Sequence, residues 1–190
     1  MSGEAISLIA VLTAKPGRSD ALRQALQALR QAVDHAHPFT KREALLKPGM
    51  TAADLGAAPG GWTWVLTREH MRVTAVDNGP MQAALMDTGL VDHHRVDGFR
   101  YQPVGAVDWM VCDMVEQPRK VAERMATWFR EGWCRNAVFN LKLPMKKRWQ
   151  ETLLALDLFA NNAGEHDNLV IRARQLYHDR EEITVYASVE

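Results

Sequence analysis

Lys142 is a charged residue at a place in the sequence where a buried strand is expected. It lies in "VFNLKLPMKKRW", from Val138 to Trp149, after residues typical of a buried strand and before Leu143 and Pro144 end the run. A lysine in apolar surroundings costs free energy unless its charge is paired or used. The sequence therefore predicts that Lys142 has a counter-ion or a function at the end of a core strand.

A glycine-rich segment, "DLGAAPGGW", follows a predicted strand and begins a predicted helix. Its glycines allow a tight turn and close approach of a ligand to the backbone. The N–H groups at a helix start favour a negative group such as a carboxylate. Pro59 and the absence of G-x-G-x-x-G argue against a dinucleotide, although such a loop can also merely pack tightly. The candidate ligand-binding residues of this segment are Asp54, Gly56, Ala57, Pro59, Gly60, Gly61 and Trp62.

Two more aspartates follow at the predicted ends of the next strands. Asp77 ends the second strand, 23 positions after Asp54 (77 − 54), where a carboxylate can accept both hydroxyls of a ribose. Asp97 ends the third strand in "RVDGF", a place suited to accepting from an adenine amino group. Either aspartate alone would more often cap a helix or form a turn. Their order after the glycine loop favours a ligand that contains a nucleoside.

Alternating strands and helices must position these residues from Thr51 onward. Apolar strands separated by helices predict a mostly parallel, doubly wound α/β sheet. No helix is predicted in the polar stretch between the last two strands, so the last strand should run antiparallel. The predicted strands are Thr51 to Leu55, Arg72 to Val76, His94 to Val96, Val107 to Cys112, Ala137 to Leu141, Leu169 to Arg174 and Ile183 to Ala187. The predicted helices are Gly61 to Glu69, Pro80 to Met86, Pro118 to Arg130 and Lys146 to Asn161.

The first residues of the chain are predicted to form a separate small extension. A strand from Ile6 to Ala14 and a helix from Ala21 to Val33 precede a break at His35 to Pro38. We therefore expect an N-terminal strand-helix extension at 1–38 and the main domain at 39–190. The opening segment weakly resembles the start of antibiotic-biosynthesis-monooxygenase-type domains, but it is too short to complete one.

Composition limits the classes of protein that need to be considered. The 190 residues fit one domain, and a hydrophobic share of 47% is enough for a core. The 23 basic and 23 acidic residues give no overall basic excess that would indicate nucleic acid. No apolar run approaches the roughly 20 residues of a membrane span, and the acidic N-terminus is untypical of a signal peptide. We therefore expect a cytoplasmic protein that does not bind membranes.

The cysteines and histidines predict no metal site. Cys112 and Cys134 lack metal-ligand spacing and are expected to be reduced core thiols. His93 and His94 are expected at the surface or a sheet edge, because no third ligand has suitable spacing.

The stretch from Asp54 to Ala187 resembles the RlmM-type 23S rRNA ribose 2′-O-methyltransferases, within the FtsJ-like (RrmJ) family. The resemblance rests on the segments "DLGAAPGGWTW", "VDNGPM", "LMDTG", "DGF", "WMVCDMVE", "FNLKLPMKK" and "ARQLYHDREE". It implies a Rossmann-like methyltransferase fold, S-adenosyl-L-methionine as the methyl donor and a cytidine ribose of 23S rRNA as the acceptor. Either free rRNA or a ribosomal precursor particle would be the partner.

The same resemblance implies the catalytic residues. FtsJ-like enzymes use a Lys-Asp-Lys-Glu set, and its last three members match Asp113 in "CDM", Lys142 in "NLK" and Glu182 in "REEIT". Lys142 would then be the base or the group that orients the acceptor hydroxyl, with Asp113 and Glu182 in support. For the first lysine, Lys41 in "KREA" is the better match and Lys47 the lesser one.

Three hypotheses remain open, because about 40 residues precede the matched region where RlmM-type enzymes carry a large RNA-binding part with a THUMP module. The first is an active rRNA 2′-O-methyltransferase with a reduced RNA-binding region. The second is a methyltransferase-like protein that binds cofactor or RNA with reduced or no activity. The third is a methyltransferase of a small acceptor, which the matches at Asp113, Lys142 and Glu182 disfavour. The sequence leaves the oligomeric state open.

Aromatic and basic residues near the predicted site have two interpretations each. Trp62 and Trp64 either pack in the core or stack on a ligand, and Tyr177 and His178 either touch RNA or form a hairpin connection. Two basic groups are either solvated helix faces or phosphate contacts. The first group is Lys142, Lys146, Lys147 and Arg148, and the second is Arg119, Lys120 and Arg124.

Overall fold

The computed structural model describes residues 45–175 and 181–189. The predicted N-terminal extension, Lys41, Tyr177 and His178 lie outside the described residues. Within the described ranges, no helix has the length and apolarity needed to cross a membrane.

A seven-stranded sheet forms the centre of the fold. Its strands are β1 (Thr51–Leu55), β2 (Arg72–Val76), β3 (Val91–His94), β4 (Val107–Cys112), β5 (Cys134–Lys142), β6 (Leu169–Arg174) and β7 (Glu182–Val189). They lie in the order β3-β2-β1-β4-β5-β7-β6. The neighbours from β3 to β5 pair in parallel, and β7 pairs antiparallel with both β5 and β6. The predicted fold class, a mostly parallel sheet with an antiparallel last strand, is confirmed.

Within the described residues, four helices connect these strands: α1 (Gly61–Arg68), α2 (Ala83–Met86), α3 (Pro118–Arg130) and α4 (Arg148–Asn162). Proline begins α3, where its missing N–H costs nothing, and Gly132 follows the helix end at a φ of 66°. Both faces of the sheet are buried. Residues of alternating parity on β1, β4 and β5 join two different apolar clusters, since successive strand side chains point to opposite faces. One cluster includes α3 and α4, and the other includes α1.

The outermost strand on one side of the sheet, β3, departs from the prediction. The third strand runs from Val91 to His94, whereas the sequence favoured His94 to Val96. This strand pairs only with β2, and three of its four residues are polar, so an apolar pattern could not show where it begins and ends. The prediction that Asp97 ends this strand is therefore wrong. Asp97 lies in the following turn, where its Oδ1 accepts a hydrogen bond from the backbone N–H of Phe99 at 2.8 Å.

Two helix starts and the length of β5 also differ from the prediction. α2 begins at Ala83 rather than Pro80, and α4 begins at Arg148 because Lys147 before it has a left-handed φ of 59°. β5 extends three residues earlier than predicted and one residue further, because it pairs with strands on both sides. Its extension includes Lys142, the residue of interest.

Candidate active site

Three predicted site residues, Asp113, Lys142 and Glu182, meet where the parallel strands β4 and β5 end. Lys142 ends β5 and stands opposite Glu182 in the β5–β7 register, while Asp113 directly follows the neighbouring β4. Lys142 Nζ donates to Asp113 Oδ1 at 2.6 Å and also donates to Glu182 Oε2. The Lys142 side chain is 17% exposed, that of Asp113 25% and that of Glu182 2%. The lysine is therefore paired, and it still reaches the surface.

The two carboxylates decide the charge of Lys142. Burial alone would lower its pKa, but the charges of Asp113 and Glu182 and their hydrogen bonds together raise the pKa above its usual value. The group is consequently an ammonium at neutral pH. In this arrangement it can donate a hydrogen bond to an acceptor oxygen, whereas it is a poor base.

Asn140 and Thr184 extend this cluster inward, and sequence reasoning gave neither of them a role. Asn140 Nδ2 donates to Asp113 Oδ1 at 3.0 Å, and Thr184 Oγ1 donates to Asn140 Oδ1 at 2.7 Å. Asn140 is 0% exposed and Thr184 3%. The segment "FNLKL" contained a signal for Asn140. An asparagine two positions before Lys142 in a buried strand lies on the same face as the lysine and needs hydrogen-bond partners there.

The glycine loop lies at the carboxyl end of β1, on the same side of the sheet. Gly56 has a φ of 79°, and a Cβ there would come within 3.2 Å of the Met114 backbone, so only glycine fits. Gly60 has a φ of 121° and precedes α1 without any side-chain cap. Ala57 and Gly60 are buried, and Pro59 is exposed. Gly60 thus provides no side-chain acceptor to the first N–H groups of α1, as is common at helix starts that bind anions.

Asp77 and Asp97 have different surroundings. Asp77 Oδ2 accepts from the N–H of Ala58 at 3.1 Å and Oδ1 from that of Gly79 at 2.7 Å. It thereby ties the glycine loop to the end of β2. Asp97 has a half-exposed side chain 3.7 Å from Arg100 Nε.

Asp54 and Trp62 lie inside the fold. Asp54 is 1% exposed, and its Oδ2 accepts from Thr63 Oγ1 at 2.6 Å, which fastens the first turn of α1 to β1. Burial raises the pKa of Asp54 to about 7, although the hydrogen bonds from Thr63 oppose the shift. Trp62 is 4% exposed and packs in the cluster that includes α1. Direct contact of either residue with a ligand stays a prediction.

The Asp54 pKa predicts a pH-dependent stability. Between about pH 4 and pH 7 the folded state retains a proton that the unfolded state has lost, so the free energy of unfolding falls as pH rises through this window. Asp54→Asn removes that titration. The free energy of unfolding of the variant, relative to that of the wild type, should therefore increase by up to roughly 1.4 kcal/mol for each pH unit between pH 4 and pH 7. Above pH 7 the difference should stay constant. Urea unfolding at several pH values measures this, and a pH-independent difference would contradict it.

Most residues of the two basic groups have partners within the fold. Arg119 pairs with Glu151 at 3.2 Å, Lys120 with Glu116 at 3.3 Å, and Arg148 with Glu181 at 3.2 Å. Arg124 donates to the backbone of Gly98 and Tyr101 and lies over two tryptophan rings. The second group is therefore largely structural. Lys146 and Lys147 are exposed and lie in the connection between β5 and α4.

The cysteines are both free and buried, as predicted for core thiols. Burial raises the pKa of both thiols, that of Cys112 to about 12, so they remain protonated. Within the described parts of the chain, no three His, Cys, Asp or Glu side chains are grouped to hold a metal ion.

Solved structures with the same fold include several methyltransferases. Aeropyrum pernix fibrillarin, solved with natively bound S-adenosyl-L-methionine, has a TM-score of 0.58 and 15% identity, covering 83% of this chain and 74% of that one. Fibrillarin from Methanococcus jannaschii has a TM-score of 0.60 and 14% identity, covering 76% of this chain and 68% of that one. At such identities the likeness shows the fold alone.

Sequence comparison gives much closer relatives. The "Ribosomal RNA large subunit methyltransferase M" of Stenotrophomonas maltophilia (strain K279a) is 73% identical over 148 residues, which are 78% of this chain and 41% of that protein. Its counterpart in Xanthomonas oryzae pv. oryzae (strain PXO99A) is 71% identical over 147 residues, 77% of this chain and 42% of that protein. The chain thus spans about two fifths of the length of these curated relatives. The sequence model of the FtsJ-like methyltransferases matches residues 29–157, more than half of the chain, and the chain belongs to that family.

Proposed function

We propose that the chain is an S-adenosyl-L-methionine-dependent methyltransferase that modifies the ribose 2′-hydroxyl of a cytidine in 23S rRNA. The observation that carries the proposal is the Asp113–Lys142–Glu182 cluster at the sheet edge that also holds the glycine loop. The high identity to rRNA large subunit methyltransferases supports rRNA as the substrate. We further propose the division into 1–38 and 39–190, a cytoplasmic location, and free rRNA or a precursor particle as partner.

The residues present fit S-adenosyl-L-methionine. We propose that the N–H groups of Gly60 and Gly61 donate to the methionine carboxylate, because those of Gly56, Ala57 and Ala58 already donate to Val76 and Asp77. Asp77 accepts from the ribose hydroxyls, and Asp97 is the candidate acceptor for the adenine amino group. When bound, the cofactor supplies a methyl group activated on a sulfonium.

The protein's own part in the reaction is mainly orientation. Lys142 remains protonated beside Asp113 and Glu182, so we propose that Nζ donates to the ribose 2′-oxygen and holds it in line with the methyl group. Orienting the hydroxyl is thus favoured over a role as general base while both carboxylates are ionised. Lys41, which lies outside the described residues, stays the predicted fourth member, with Lys47 as the lesser candidate.

Lys146 and Lys147 are proposed to contact RNA phosphates beside the cluster. Both are exposed, and Trp149 next to them is 55% exposed, which gives an unpaired base a ring on which to stack. Arg148 is less suited to this role because it pairs with Glu181.

Replacing Lys146 and Lys147 together by glutamine should raise the KM for RNA and leave cofactor affinity unchanged. Removing two phosphate contacts should also reduce the salt slope of RNA binding by roughly 1 to 2. Lys120→Gln is the matched control, since Lys120 is also exposed but is paired with Glu116. Binding titrations at several salt concentrations give the slope, and an unchanged slope in the double variant would argue against phosphate contact.

Methyl incorporation tests the proposed function directly. The protein is incubated with labelled S-adenosyl-L-methionine and rRNA that lacks the modification, and the label in RNA is counted. Transfer by the wild type supports the proposal. Cofactor binding without transfer would favour the alternative of a methyltransferase-like binding protein.

A further inference from the structure

Asn140 and Thr184 form a buried hydrogen-bonded layer beneath the catalytic cluster. They stand opposite each other in the β5–β7 register, two residues from the Lys142–Glu182 pair in each strand. Because side chains alternate along a strand, both pairs lie on the same face of the sheet. The result is a continuous chain of contacts from Thr184 through Asn140 and Asp113 to Lys142.

The direction of these hydrogen bonds constrains Asp113. Its Oδ1 accepts from two donors, Asn140 Nδ2 and Lys142 Nζ. The Asn140 amide can donate to Asp113 only while its oxygen faces away, and the Thr184 hydroxyl occupies that oxygen. Thr184 thus selects the orientation of the amide, and the amide fixes the rotamer of the carboxylate.

We infer that Asn140 and Thr184 are positioning residues of this methyltransferase, which hold Asp113 where it directs Lys142 toward the acceptor hydroxyl. Neither side chain reaches the surface, so neither contacts the substrate. The inference rests on the proposed function, since it assigns the pair a part in placing Lys142 for that reaction.

Thr184→Val tests the residue that is further from Asp113 in this chain of hydrogen bonds. The substitution keeps the volume and leaves Asn140 Oδ1 without its donor. We expect kcat to fall about 10- to 100-fold, with the KM for RNA and the cofactor affinity nearly unchanged, and Thr184→Ser to restore kcat. Ser188→Ala is the matched control, because Ser188 is also buried on β7 and its hydroxyl has no hydrogen-bond partner among the described residues.

Asn140→Asp tests the residue that contacts Asp113 directly, through the pH dependence of kcat. The variant keeps the shape of the side chain but sets a second carboxylate against Asp113. In acid the pair shares a proton and one oxygen can still donate, so kcat should approach that of the wild type and fall as pH rises. A residue needed only for folding would give a loss that does not depend on pH.

The titration of Lys142, followed by NMR of labelled lysine side chains, gives a readout that needs no methyl transfer. We expect Asn140→Asp to raise the Lys142 pKa, Thr184→Val to change it, and Ser188→Ala to leave it in place. If the wild type is active and both variants match it in kcat and Lys142 titration, the inference is overturned. If the wild type transfers no methyl group while the titration still changes, the proposed function is contradicted and the positioning of Lys142 is supported.

Discussion

Lys142→Ala is expected to abolish methyl transfer and to leave cofactor binding nearly intact. The side chain is the cation between Asp113 and Glu182, and we place it against the 2′-oxygen. Loss of the group that holds the acceptor oxygen in line costs about 10²-fold or more in rate. The measurement is single-turnover methyl transfer to unmodified rRNA, with the cofactor dissociation constant determined on the same preparation by calorimetry.

Stability has to be controlled in that experiment, because the substitution leaves two carboxylates near each other without their cation. Glu182 is almost fully buried, and removing one partner of a buried ion pair costs on the order of 3 kcal/mol. Circular dichroism and the unfolding midpoint show whether the variant is folded at the assay temperature. A folded Lys142→Ala protein with wild-type turnover would eliminate the assigned role.

Asp77→Ala is expected to weaken S-adenosyl-L-methionine binding about 100-fold. It removes the proposed acceptor of both ribose hydroxyls, and hydrogen bonds to a charged group are each worth about 1.5–3 kcal/mol. It also frees the N–H groups of Ala58 and Gly79, which the carboxylate now fixes at 3.1 and 2.7 Å, so the glycine loop loses its tie to β2. Both effects act on affinity, which calorimetry with the cofactor measures.

A matched control for this second variant is Asp157→Ala, since Asp157 is an exposed aspartate on α4. It should bind the cofactor as the wild type does. Unchanged affinity in Asp77→Ala would show that the ribose is held elsewhere, even if Lys142 proves essential.

The sequence predicted the interior of the fold well because burial dictates it. β1, β2, β4 and α3 have the predicted bounds, and each is an apolar run or stripe bounded by turn residues or, for α3, begun by a proline. The edge strand β6 also has the predicted bounds, because it begins with an apolar run, Leu169 to Ile171. β3 was misplaced because its residues, Val91 to His94, are mostly polar, so its position is set by pairing with β2 rather than by an apolar run. The start of α4 was missed because the left-handed conformation of Lys147 has no signal in its residue type.

The candidate site was predictable in its members but not in its electrostatics. The motifs identified Asp113, Lys142 and Glu182, and the topology brings them together. Whether the Lys142 pKa would fall by burial or rise by pairing depends on atomic distances across three strands. The hydrogen bond between Asp54 and Thr63 likewise depends on how α1 packs against β1, so the sequence did not show it.

The most direct test of the central claim is the position of the transferred methyl group. Wild-type protein and Lys142→Ala are each incubated with labelled S-adenosyl-L-methionine and unmodified rRNA, and the product is mapped at nucleotide resolution. We expect the wild type to place one methyl group on the 2′-oxygen of a cytidine in 23S rRNA and the variant to place none. A methyl group on a base, or equal transfer by both proteins, would contradict this account.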